Sequence, residues 1–256
     1  MEKINLNEYL ANNEYPGRGI AIAKSPDGKQ MFIGYWIMGR SANSRNRVFE
    51  PVPERGGIET KAADPSKLED PSLIIYNPVL TLGKTHIVTN GDQTDTIFDL
   101  MCKGKSFADA LRTRTFEPDG PNWTPRISAV VYEDGSYQMS ILKSADGNGD
   151  SVHRFFYDYP LPVAGEGHFI STYKCNGSPI PSFDGEPLRF ECPRTIGDFA
   201  SGLWANLNED NKVSLFARVI DLESGNCGDM IYNKYDAVCS DMDDPEEPAL
   251  LPEEME

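Results

Sequence analysis

Residues 19–38 read GIAIAKSPDGKQMFIGYWIM, two apolar runs (19–23 and 31–38) around Ser25-Pro26-Asp27-Gly28. An Asp-Gly pair between strand-sized apolar runs is the sequence mark of a β-hairpin. The pattern recurs at 127–132 and 137–142, joined by Glu133-Asp134-Gly135-Ser136, and an alternating hairpin is expected over 213–220 and 229–232. Further strands are expected at 72–76, 86–89, 152–157 and 168–173. Helical spacing appears over 92–103, with Asp92 or Thr94 as cap, and over 106–114, where Ser106 and Asp109 form a capping pair. A third helix is expected over 196–207, with Phe199, Leu203 and Trp204 on one face. A short amphipathic opening (Leu6, Tyr9, Leu10) precedes the turn at Glu14-Tyr15-Pro16-Gly17. Segments 39–47, 51–71 and 115–125 read as loops. Hairpins, a helix pair, hairpins, a helix and a last hairpin together predict an α+β fold, stacked antiparallel sheets covered by helices.

The chain has 256 residues, 25% of them charged and 39% apolar, enough to bury a large core without staples. No stretch approaches the ~20 apolar residues of a membrane-spanning helix. The opening Met-Glu-Lys-Ile-Asn-Leu lacks the features of a secretory signal, so a cytoplasmic protein without membrane contact is expected. The net charge of −16 argues against a broad nucleic-acid surface. Eight acids and no Lys or Arg occupy residues 240–256. That stretch reads as a disordered acidic appendage on one domain spanning 1–239. Five cysteines form no CxxC pair, which fits reduced thiols. His86, His153 and His168 lack ligand spacing, so no metal site is expected and each histidine reads as core-edge or surface.

The usual chemical templates are missing: GxxxxGK[ST], GxGxxG opening a helix, GxSxG and HExxH. Polar residues gather instead in loops: Tyr15-Pro16-Gly17-Arg18, the arginine-rich 39–47, Tyr76-Asn77-Pro78, residues 89–95, and Phe116-Glu117-Pro118-Asp119 leading to Thr124-Pro125-Arg126. Arg40, Arg45 and Arg47 fall within eight residues of an acidic chain. Guanidinium groups grip phosphate through paired planar hydrogen bonds. The composition leaves two readings equally open, a phosphate clamp or a solvated loop paired with surface carboxylates.

In this order the loops resemble the archaeal-type IMP cyclohydrolase family. The resemblance runs through Tyr-x-Gly-Arg (15–18), Arg-Ser-x-x-x-Arg (40–45), Tyr76-Asn77, Asn-Gly-x-x-Thr-Asp (90–95), Thr-Pro-Arg-Ile (124–127) and Ser171-Thr172-Tyr173. Longer bacterial relatives are more similar still over 39–47 and 173–183. The resemblance implies a four-layer αββα sandwich like that of N-terminal-nucleophile hydrolases, without the terminal nucleophile. It also implies closure of 5-formamidoimidazole-4-carboxamide ribonucleotide to inosine monophosphate (IMP) with loss of water, the last step of purine synthesis. That chemistry needs no cofactor, and the expected partner is the small purine ribonucleotide; a homo-oligomer stays open. Residue by residue, Arg45, Tyr76 and Glu117 match the family's catalytic positions, with Asp119 as a substitute for Glu117. Arg18, Arg40, Asn77, Asn90 and Arg126 match substrate-binding positions. Arg47 and Arg114 have no archaeal counterpart and stand as supporting residues. Two other classes compete. One is a regulatory protein that binds purine nucleotides without catalysis. The other is an amidohydrolase of the same fold, which needs a small nucleophile at its mature N-terminus, whereas 14 residues with no sign of removal precede Tyr15.

Overall fold

The 19–38 hairpin forms, and its strands are buried on both faces. A computed structural model describes residues 3–69, 71 and 73–235; the acidic stretch 240–256 and Cys239 lie outside the described residues. In chain order the helices and strands are α1 (Leu6–Ala11), β1 (Gly19–Lys24), β2 (Gln30–Met38), α2 (Ala42–Arg45), β3 (Val48–Val52), β4 (Gly57–Lys61), β5 (Val79–Leu82), β6 (Thr85–Thr89), α3 (Gln93–Cys102) and α4 (Phe107–Arg112). They continue with β7 (Arg126–Val131), β8 (Tyr137–Ser144), β9 (Val152–Tyr159), β10 (Glu166–Ser171), β11 (Leu188–Glu191), α5 (Ile196–Asn206), β12 (Lys212–Asp221) and β13 (Cys227–Asn233).

All strand pairs within the two sheets are antiparallel. One sheet has six strands in the order β11-β10-β1-β2-β12-β13, the other seven in the order β3 through β9. The period-2 alternation of a strand sorts the apolar residues into layers. In β2, Met31, Ile33, Tyr35 and Ile37 join a core between the sheets, together with Ile127, Ala129 and Val131 of β7. Phe32, Trp36 and Met38 face the other way and pack with Leu6 and Leu10 of α1 and Phe199 and Leu203 of α5. On the far side, Ile97 of α3 and Phe107, Ala110 and Leu111 of α4 cover Ile87, Val130 and Leu142. The result is a helix–sheet–sheet–helix stack of four layers. No described helix is long and apolar enough to cross a membrane.

Several segments differ from the sequence reading. Segment 51–71, expected as a loop, contains β4 and the end of β3; Pro51 is tolerated because β3 is an edge strand, where a missing N–H disrupts no inner ladder. No strand forms over 73–76. That backbone turns on Pro71 and is held by Thr60: its N donates to Tyr76 O at 2.9 Å, and its Oγ1 lies in reach of the Ile74 and Tyr76 carbonyls as donor and accepts from Tyr76 N at 2.8 Å. The 39–47 loop contains the one-turn helix α2, closed by a reciprocal Ser41–Ser44 capping box. The short strands β5 and β11 were not expected. Among the histidines, His86 is buried against Arg218, and burial followed by that guanidinium pushes its pKa down to about 4.

Candidate active site

Strand register decides which loops meet. Gly19 pairs with both Ser171 and Trp36, Val79 with Val88, and Thr89 with Ser128. The starts of β1, β5 and β7 and the ends of β2, β6 and β10 therefore share one end of the sandwich. Three side-chain pairs bridge the sheets there. Arg18 Nη2 meets Glu117 Oε1 at 2.7 Å, the Tyr35 and Tyr76 hydroxyls lie 2.7 Å apart, and Thr124 Oγ1 lies 2.6 Å from the Tyr173 hydroxyl.

The Tyr-x-Gly-Arg motif has a steric reason. Gly17 has φ +74°, and a Cβ added there would fall 2.2 Å from Thr172 Oγ1 and 2.5 Å from the Tyr173 ring. Only glycine lets this backbone lie against 172–173, where Arg18 N donates to Thr172 Oγ1 at 3.1 Å. Gly17→Ala should lower unfolding stability by about 1–3 kcal/mol through overpacking. An unchanged urea midpoint would show that the 172–173 segment can move aside.

Arg18 is the hub. Its side chain is 12% exposed, its partner Glu117 4%. Burial opposes the Arg18 charge, but the Glu117 carboxylate, then Tyr76, Tyr173 and Tyr35, outweigh it and hold the guanidinium firmly protonated. For Glu117 the balance goes the other way: burial raises its pKa, and the charges of Arg18 and Arg126 recover only part of the shift. The Tyr35 phenol is pushed far above the ordinary tyrosine value by burial and by the adjacent Tyr76. A buried cation, a carboxyl with enhanced proton affinity and a phenol donor thus face one another. Among the described residues, no three His, Cys, Asp or Glu side chains converge as metal ligands would.

The structure brings Arg18, Tyr76 and Glu117 together and sets Asn90 and Arg126 directly behind them. Asn90 is a strut. Its Oδ1 accepts from Ile127 N and Gln93 Nε2, and its Nδ2 donates to Pro125 O at 2.9 Å and lies 3.4 Å from Glu117 Oε1. Arg126 pairs with Asp92 at 2.6 Å and donates to Gln93 Oε1; Arg114 shares Asp92. Of the two acids left open, Asp119 is engaged with the backbone and hydroxyl of Thr124, while Glu117 faces Arg18. Asn77 points to Asp95, itself paired with Arg55, and not to Glu117.

The arginine loop lies alongside. Arg40 sits over the Tyr15 ring, which stacks on Tyr173. Arg45 donates to Gly39 O and Asn211 Oδ1, and Arg47 to Ser44 O and Met38 O. Among the described residues, all three guanidinium groups bind only carbonyl or amide oxygens, and Arg40 adds ring contact. The alternative of a loop neutralised by surface carboxylates is therefore disfavoured. Sequence reasoning missed Tyr35, hidden in an apolar run where its hydroxyl was the only signal, and gave no role to Tyr173 or Gln93.

The model of the IMP cyclohydrolase-like protein family matches residues 15–225. Among curated relatives, a protein of Methanococcus maripaludis named IMP cyclohydrolase is 35% identical over 170 residues, covering 63% of this chain and 76% of its own. One of Methanococcus aeolicus with the same name is 32% identical over 168 residues, 63% of this chain and 75% of its own. The match begins at Tyr15, three residues before the arginine that anchors the inter-sheet cluster, and takes in every residue of that cluster. The chain belongs to the IMP cyclohydrolase-like protein family.

Proposed function

We propose that this protein is an IMP cyclohydrolase, closing 5-formamidoimidazole-4-carboxamide ribonucleotide to IMP with release of water. The observation that carries the reading is the convergence of a phenol donor, Tyr76, and a carboxyl acceptor, Glu117, around one buried guanidinium. The carboxamide nitrogen is a feeble nucleophile, and charge grows on the formyl oxygen as the C–N bond forms. Glu117 takes the proton from that nitrogen; Tyr76 donates a hydrogen bond to the formyl oxygen. Glu117 then passes that proton to the formyl oxygen, giving the carbinolamine, whose hydroxyl leaves as water with the proton of the formamido N–H as the C=N bond forms. Fixing both reacting groups of one molecule in contact supplies a further share of the rate.

Arg40 and Arg45 hold the ribonucleotide phosphate, a role supported by their binding no carboxylate among the described residues. Arg45→Ala is expected to weaken IMP binding about 10–100-fold, the equivalent of a lost charge-assisted contact of about 1.5–3 kcal/mol. Equal affinity in a calorimetric titration would move the clamp to Arg18 or Arg126. The function itself is tested by incubating the purified protein with the formamido ribonucleotide and following IMP by absorbance. Turnover no faster than buffer, with the fold intact by circular dichroism, would refute it.

A further inference from the structure

Each sheet has two edges, and three of the four are covered or tied down. Beside β11, Ile4 bridges to Phe190. The edges β3 and β13 hold each other: the Asn233 side chain accepts from Phe49 N and donates to Phe49 O, and β3 also carries Pro51. The fourth edge is β9, the last strand of the seven-stranded sheet. It pairs with β8 along its whole length of eight residues without a bulge and contains no proline. Among the described residues nothing bridges to its outer side. Proteins ordinarily blunt such an edge, because its unpaired N–H and C=O groups are a template for another strand.

The large apolar side chains exposed among the described residues all gather here: Phe155 and Phe156, on opposite faces of β9, and Leu161 and Val163 just beyond it. Exposure grouped in this way marks an interaction surface, where scattered exposure would not. The charges on the strand say what fits. Arg154, Phe156 and Asp158 share one face by the two-residue period. Neither charge has an ion-pair partner among the described residues: Arg154 donates through Nε and Nη2 to Arg114 O, and Asp158 meets only Gln138 Nε2, at 3.3 Å. Laid antiparallel on itself about Phe156, the strand sets Arg154 opposite Asp158 of a second copy, once on each side of the axis, with the two Phe156 rings between. Opposite charges and paired aromatics in directly facing positions stabilise a ladder. No other antiparallel register of the strand on itself pairs the two charges.

We propose that β9 is a self-association edge, through which two copies of this chain join their seven-stranded sheets antiparallel about a two-fold axis at Phe156. A contact of this kind uses the same surface on both copies and consumes the free edge, so association stops at the dimer. Arg18, Tyr76 and Glu117 lie on other elements, and each copy keeps its own cluster.

The mass of the full chain in solution, read by light scattering behind size exclusion, tests this. The parent should elute at twice the chain mass. R154D and D158R should each fall to the mass of one chain, because each sets like charges opposite one another. An equimolar mixture of the two should return to twice the mass, since each then supplies the charge the other lacks. A parent that is monomeric at every concentration would overturn the proposal and leave the edge to a strand of another protein. A single variant that stays dimeric, or a mixture that stays monomeric, would overturn the pairing about Phe156. Matched cysteines give a second readout that keeps both charges. Phe156 faces itself across the axis, whereas Phe155 faces Tyr157, so diamide should oxidise F156C to a disulfide-linked dimer above the level of the parent, and F155C should not respond. No added crosslink in F156C, or equal crosslinking in the two, refutes the axis even if the charge variants fail to fold.

Discussion

Tyr76→Phe is expected to lower turnover by about 10²–10³ while leaving IMP affinity nearly unchanged. The substitution removes one hydroxyl and keeps the ring, which is 7% exposed and set by backbone bonds to Thr60 that do not involve the phenol. Packing should survive, with one penalty: Tyr35 loses its hydroxyl partner, a buried polar group unsatisfied at about 1–3 kcal/mol. The loss of rate belongs to the transition state, where the formyl oxygen carries most charge and a preorganised donor is worth most. Steady-state kinetics and a binding titration on the same preparation decide. Full activity in Tyr76→Phe would return this residue to the core and leave Arg18 as the donor.

The second large effect is on pH dependence. Glu117 acts in its ionised form, and burial holds its pKa above the ordinary carboxylate value. Turnover should therefore rise with pH through an acid limb lying above that value, because below it the carboxyl is neutral and cannot take the amide proton. Glu117→Gln should lower kcat by about 10²–10⁴ and abolish the limb. The sign of the Arg18 contribution gives a sharper check. Its charge works to lower the Glu117 pKa, so Arg18→Met should move the acid limb to higher pH, whatever it does to the maximal rate. A limb that stays in place in Arg18→Met, or one that persists in Glu117→Gln, assigns the titration to another group.

Much of the architecture was legible in the residues because burial on two faces writes a plain code. The 31–38 run, the Asp-Gly turn and the Ser106–Asp109 cap all form where expected. What escaped was structure held by something other than pattern. Thr60 pins the 73–76 backbone and denies it a strand, a contact across some 15 residues that no local rule reveals. Pro51 disguised an edge strand as a loop. In the cluster, it was the resemblance of their loops to a known family that singled out Arg18, Tyr76 and Glu117; the residues alone left Tyr76 open as a packing residue. Tyr35 carried no such mark. Arg47 read only as a supporting residue beside Arg40 and Arg45, and the third dimension shows it to be the buried one of the three.

The seven-stranded sheet is made from one uninterrupted stretch, β3 to β9, whereas the six-stranded sheet joins the two ends of the sequence around it. During synthesis the first hairpin must wait for distant partners: Gly19 pairs with Ser171, and Met38 with Lys212. At ~5–20 residues per second the ribosome needs roughly 8–35 s between them. Throughout that interval the hairpin lacks a strand on each outer edge, and Phe32 and Trp36 lack the cover of α5, so a two-stranded ribbon with two apolar faces is a prime substrate for self-association. The middle sheet can gather first, from local pairings of low contact order. Arg18 then reaches Glu117 only once the late strands close, so catalytic competence marks the end of folding, and a chain released before residue 212 would hold Tyr76 and Glu117 with no completed sheet opposite them.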